Sequence, residues 1–203
     1  MIQYSPKEII IIIGYKKKLL KQVIGESYKG IPIKYVFNKN YNLRGNMSSL
    51  WCARDLCDDD TIFTVSDLIC NKKNIETFMN DKASSKILID RNQKLFFDSD
   101  PVKVSIQNGY INRVLKNMDF NQINGIAIGI YMLSKSKMEL LLKKIGKYFE
   151  EKDYDKSLYY AINDLVIENP IKPVFCDGSH WCDVDTPKEL EMLNTTLENK
   201  NYY

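Results

Sequence analysis

Two aspartates stand where strands should end. Asp67 closes the run Thr64-Val65-Ser66-Asp67-Leu68, and Asp183 follows Trp181-Cys182 just before a helix start. In open α/β sheets ligands bind beyond the carboxyl ends of the strands. Two carboxylates brought to one such edge would suit a hard divalent cation that keeps waters and shares phosphate oxygens. A lone aspartate after a strand also serves as a turn residue or a helix cap, and that reading stays open for Asp67. Asp185, directly ahead of Thr186, is expected to be such a turn or cap residue. Asp58-Asp59-Asp60 sits between a helix and a strand, where a run of acids is ordinarily a solvated loop. Lys116 ends a further strand and, taken alone, is one exposed lysine among many.

The thiols offer less. Cys52, Cys57, Cys70, Cys176 and Cys182 are five, an odd number in a chain large enough to fold unstapled, so reduced cysteines in a cytoplasm are expected. The spacings Cys52-x4-Cys57 and Cys176-x5-Cys182 lack the C-x2-C pair of a zinc site. His180 is the single histidine, which also disfavours chemistry built on a histidine base.

Elements that would hold these residues follow from periodicity. Glu8 to Ile13 reads as a buried strand ending at Gly14-Tyr15. Lys17 to Ile24 reads as a helix with Leu19, Leu20, Val23 and Ile24 on one face. Strands at 33–37 and 61–65 alternate with a helix over 47–56, a pattern that predicts a parallel, doubly wound sheet. After a short helix at 74–79 the texture changes to strands at 87–89, 102–107, 111–115 and 126–133, for which antiparallel pairing is expected. Asn108-Gly109 between two of them is a hairpin signal, because a two-residue turn needs positive φ. Helices are expected at 137–150 and 157–168, then extended segments at 171–175 and 181–184. Thr186-Pro187-Lys188-Glu189 has Thr at N-cap, Pro at N1 and Glu at N3, a capping box before Leu190. One domain over residues 1–198 is expected, with 199–203 as a frayed tail.

Composition narrows the class. At 203 residues, 44% hydrophobic and 27% charged, the chain is neither disordered nor low-complexity. Its net charge of +3 gives little footing to a nucleic-acid binder. No apolar run approaches the roughly 20 residues of a membrane span; Ile9 to Ile13 suits a strand, and the N-terminus lacks the layout of a secretory signal.

Taken in order, the motifs resemble a nucleotidyltransferase of the sugar-phosphate and phosphocholine cytidylyltransferase superfamily. Glu8 through Gly14-Tyr15 is similar to its second strand and Gly-Tyr turn, Tyr35 through Asn38 to its strand ending in Asn, and Gly45-Asn46-Met47-Ser48-Ser49-Leu50 to its Asn-rich helix start. Asp67 falls where the family places its first metal aspartate. Asn108-Gly109 through Lys116 resembles the strand pair ending in a substrate-phosphate lysine, and Gly125 to Tyr131 the strand after it. Asp183, in Trp181 through Leu190, matches the second metal ligand. The resemblance implies a Rossmann-like α/β fold of GT-A type, mostly parallel with an antiparallel portion. It implies transfer of a nucleotidyl group, CMP from CTP, to a small phosphorylated acceptor such as phosphocholine or a sugar phosphate, with release of pyrophosphate. It assigns Mg²⁺ to Asp67 and Asp183, the incoming phosphate to Lys116, and the nucleotide to Gly14, Asn46, Ser48 and Ser49. Tyr159, Tyr160 and Trp181 would wall a choline-like cation, with ordinary packing as the alternative for all three.

The family's opening strand, its Gly-rich triphosphate loop and its Pro-Lys have no counterpart ahead of Glu8, and Pro6-Lys7 is read as chance. The open sheet edge this would leave is expected to favour self-association. Two rivals stay in view: a regulatory or assembly subunit that keeps the fold, and a glycosyltransferase, which Ser66-Asp67-Leu68-Ile69 disfavours because it lacks Asp-x-Asp.

Overall fold

β-Branched side chains favour extended backbone, and the five isoleucines of Ile9–Ile13 form strand β1. The computed structural model describes residues 4–42, 45–92, 100–176 and 181–198. Helix α1 (Lys17–Ile24) follows, then β2 (Ser27–Tyr28) and β3 (Ile31–Phe37). β1 pairs in parallel with β3, Ile9 opposite Ile33 and Ile13 opposite Phe37, and β2 pairs antiparallel on the other side of β3. The three strands make a small sheet in the order β1-β3-β2.

The larger sheet is built from β4 (Thr61–Thr64), β6 (Lys86–Asp90), β7 (Val102–Gln107), β8 (Tyr110–Leu115), β9 (Gly125–Leu133) and β10 (Lys172–Phe175). The short strand β5 (Leu68–Cys70) lies between β4 and β6 in the chain. Strand order is β10-β6-β9-β7-β8, with β4 also on β9. β10 and β6 run parallel; β4, β6 and β7 all pair antiparallel with β9. The fold class is therefore α/β with mixed sheets, in which parallel and antiparallel pairs share the work. At the β7–β8 hairpin Asn108 and Gly109 have φ of 53° and 77°, the left-handed pair that a two-residue turn demands.

Side-chain alternation splits the core in two. Ile87 and Ile89 of β6 join Val104, Val114 and Tyr131 against α2 (Asn46–Cys52), α4 (Lys135–Glu150) and α5 (Leu158–Glu168). Leu88, between them, faces the opposite side with Ile128, Ile130 and Val174 against Phe78 of α3 (Lys72–Asn80). The helix expected at 47–56 ends at Cys52 and continues as a 3-10 turn at Arg54–Leu56. At the other end of the chain β11 (Trp181–Asp183) leads into α6 (Pro187–Glu198). There the capping box forms as read: Thr186 Oγ1 accepts from Glu189 N at 3.2 Å, and Glu189 Oε2 accepts from Thr186 N at 2.8 Å. Residues 199–203 and His180 lie outside the described residues.

α1 is the element that departs from its pattern. Leu19, Leu20 and Val23 do share a helical face, yet no residue of α1 is buried.

Candidate functional site

β5 and β11 are only three residues each, too short to be stable alone, and each exists because the other does. They pair antiparallel with Asp183 opposite Leu68, and Val184 N donates to Asp67 O at 3.0 Å. This ribbon fixes Asp67 and Asp183 side by side from distant parts of the chain. Gly129 sets the approach from the other direction. Its φ is +90°, and a Cβ there would lie 2.7 Å from Val65 Cγ2. β9 can thus come against Val65, whose N–H donates to Gly129 O, and the chain turns from there to Asp67. Trp181 anchors the ribbon to the main sheet, donating Nε1–H to Asp90 Oδ2 at 2.6 Å. Asp90 ends β6 and sits two per cent exposed.

The electrostatics are those of a carboxylate pair in want of a cation. Asp67 Oδ1 is buried and finds no hydrogen-bond partner among the described residues. Burial, and then the charges of Asp67, Asp185, Asp100 and Glu189, push the Asp183 carboxyl up to about 6. Burial and the nearby Asp183 raise the Tyr131 phenol to about 12; its ring stacks on Phe63 at 4.9 Å. An unpartnered buried oxygen on Asp67 within electrostatic reach of the Asp183 carboxyl fits a hard divalent ion, which would keep several waters and draw its remaining ligands from phosphate. Among the described residues no third Asp, Glu, His or Cys completes a cage. Asp185 does what a turn residue does, its N–H donating to Glu189 Oε2 at 2.9 Å.

Lys116 lies near this pair through one intermediary. Its Nζ is 2.6 Å from Asp100 Oδ1; the hydrogen bond and charge of Lys116 hold the Asp100 carboxyl below its ordinary range. Asp100 in turn is close enough to contribute to the shift of Asp183. A cavity of about 550 Å³ opens beside Lys116, lined also by Lys103, Arg113, Asn117 and Gln122.

The polar residues at the start of α2 are engaged structurally. Asn46 Oδ1 accepts from Leu158 N at 2.8 Å, tying α2 to the first turn of α5. The Ser48 hydroxyl is buried, donates to Gly45 O and accepts from Asn38 Nδ2. Ser49 accepts from the same amide at 3.2 Å. Gly14 is required by packing, since a Cβ there would lie 2.4 Å from the Tyr41 ring. Tyr159 and Tyr160 stack at 4.5 Å, and Lys156 already covers the Tyr160 face at 4.5 Å. Tyr159 packs on the α4/α5 side of the core and Trp181 on the α3 side, so the three aromatics belong to two layers. Asp90 and Asp100 were not singled out by sequence. Asp90 carries the same signal as Asp67, an acid closing an apolar strand.

No family model matches this chain. It is 22% identical over 188 residues to a bifunctional IPC transferase and DIPP synthase of Rubrobacter xylanophilus, covering 91% of this chain and 40% of that protein. It is 21% identical over 136 residues to a UTP--glucose-1-phosphate uridylyltransferase of Haloferax volcanii, covering 64% of this chain and 54% of that one. The chain spans about 40% of the length of the IPC transferase it matches. Among solved structures, the inositol-1-phosphate CTP transferase of T. maritima superposes with a TM-score of 0.76 at 19% identity, over 98% of this chain and 78% of that one. The CTP:phosphocholine cytidylyltransferase of Streptococcus pneumoniae gives 0.73 at 19%, over 96% and 80%. The likeness to these solved structures shows the Rossmann-like α/β fold class, and the uridylyltransferase and the cytidylyltransferase among the matches agree with the superfamily resemblance.

Proposed function

We propose, starting from a chain with the nucleotidyltransferase fold, that it moves a nucleotidyl group, CMP from CTP, onto a small phosphorylated alcohol such as inositol 1-phosphate, phosphocholine or a sugar phosphate. The observation that carries this reading is the Asp67–Asp183 pair beside Lys116, with one carboxylate oxygen left orphaned in the ribbon. An acceptor phosphate oxygen forms a bond to the α-phosphorus as the α–β bridging bond breaks, and pyrophosphate leaves with the electron pair, so no proton has to be moved. Asp67 and Asp183 would hold Mg²⁺, which when bound supplies positive charge for the triphosphate. Lys116 exchanges the Asp100 carboxylate for the incoming phosphate and balances its charge. Asn46 and Ser49 retain hydrogen-bonding capacity for ribose or base, while buried Ser48 shapes the turn that presents them.

In this reading residues 1–198 act as one cytoplasmic unit. Among the described residues no helix is long and apolar enough to cross a membrane. The free side of β1, at the end of its sheet, would pair copies of the chain; light scattering that finds only monomer removes that part of the proposal. The function itself is tested by pyrophosphate release from CTP with Mg²⁺ and each of the three acceptors in turn. Turnover with one of them, lost in Asp67→Ala and Lys116→Met, is expected. Absence of turnover with every acceptor and every nucleoside triphosphate would overturn the reading.

A further inference from the structure

Helix α1 does almost nothing for the core. Leu19, Leu20 and Val23 are 50%, 38% and 75% exposed, and Tyr15, just ahead of the helix, is 66% exposed. The side of α1 toward the sheet is taken instead by two lysines, with Lys17 Nζ 3.5 Å above the Phe37 ring and Lys21 Nζ 5.1 Å above Tyr35. At about 100° per residue, Leu19 and Val23 lie about 120–160° round the helix from Lys17 and Lys21. The apolar strip therefore points away from the sheet that the helix rests on.

Charge is divided as unevenly as burial. Residues 4–42 contain eight lysines and two glutamates, a net +6, which leaves 21 Lys+Arg against 24 acids, a net −3, for the rest of the chain. From Tyr15 to Ile24 there are four lysines and no acid. Of the eight lysines only Lys34 has a carboxylate partner among the described ion pairs, Glu8 at 2.5 Å.

We propose that α1 is a docking surface for an anionic lipid bilayer, with Leu19 and Val23 entering the headgroup–acyl boundary, Leu20 on their flank, and Lys16 and Lys18 meeting lipid phosphates. An exposed apolar strip bordered by lysines is what such an interface selects, and the negative cytoplasmic leaflet supplies the complementary charge. A nucleic acid would satisfy the lysines and leave Leu19 and Val23 without an apolar partner. A second copy docked through α1 itself would set four lysines against four, with no acid between Tyr15 and Ile24 on either copy to offset them. The bilayer satisfies both halves of the face.

The test uses the whole 203-residue chain and co-sedimentation with vesicles of phosphatidylcholine, with and without phosphatidylglycerol. Binding is expected only with phosphatidylglycerol, weakening as salt is raised. Lys16→Gln with Lys18→Gln should lower partitioning about thirtyfold, from the charge contribution of two lysines near such a surface. Val23→Glu should abolish it. All three positions are exposed, and circular dichroism matching the parent confirms that each variant is folded. Absence of binding to the anionic vesicles, equal binding to both compositions, or binding that survives these substitutions would overturn the proposal. So would a vesicle-free dimer that Val23→Glu dissolves, which would assign the face to a second copy. None of these readouts depends on nucleotidyl transfer.

Discussion

Lys116 and Asp100 form an ion pair of 2.6 Å, and Asp100 is also one of the charges felt by Asp183. Lysine and acid pair are thus coupled through a single exposed carboxylate, which occupies the ammonium as a phosphate would. With Lys116 beside it, the Asp100 carboxyl should titrate below the ordinary aspartate range in carbon-13 NMR. Lys116→Met should return it to that range. Asp100→Asn frees the ammonium and should tighten binding of inorganic phosphate, read by calorimetry; weaker phosphate binding would show that Asp100 assists rather than competes.

The paired acids lead to a separate expectation. Asp67→Ala and Asp183→Ala should each lower Mn²⁺ affinity by more than the roughly 10–100-fold typical of outer-shell partners. The metal-free fold should be kept, since each change removes half of a like-charged pair. Asp185→Ala should leave Mn²⁺ binding nearly unchanged, because Asp185 engages Glu189 through its backbone N–H, which alanine keeps. Calorimetric titration of the three variants with Mn²⁺ decides which acids are ligands.

Much of this site was legible before any coordinates. Asp67 and Asp183 were found because an acid closing a strand is a local signal, and the box at Thr186–Glu189 because capping spans only four residues. The ribbon that joins the two acids was not legible: three-residue strands such as Leu68–Cys70 have no period to detect, and their pairing depends on a partner far along the chain. At the start of α2 the residue types were legible and their partners within the fold were not. Asn46 accepts from Leu158 N, 112 residues further on, and Ser48 accepts from the Asn38 amide at the end of β3, pairings that no local pattern announces. α1 shows the converse limit, since periodicity reports that a face is apolar and says nothing about what covers it.

Removing the cap oxygen at Thr186 has a local cost. Thr186→Ala should destabilise α6 by about 1 kcal/mol, because Glu189 N loses its acceptor. Thr186→Ser should retain most of it. Thermal unfolding of the two variants against the parent separates hydroxyl from methyl.

Burial lowers the proton affinity of Lys86, with the Asp81 charge opposing that shift more weakly; its ammonium donates to the Asp81 carbonyl. A lysine whose folded pKa lies below its ordinary 10.5 binds its proton less tightly in the folded state than in the unfolded one. Its contribution to stability should therefore rise with pH through the window below 10.5. Lys86→Met should flatten that rise, measured by urea unfolding at neutral and alkaline pH; an unchanged slope would mean that another group titrates.

β6 is buried at all five positions and is bonded on both sides, to β10 and β9. Its amides should be among the slowest to exchange with solvent, whereas α1, with no buried residue, should exchange early. The Asp90–Trp181 bond ties the acid-bearing ribbon to that slowest strand. Breathing of the basic N-terminal layer, on whatever surface it rests, would then leave the carboxylate pair assembled.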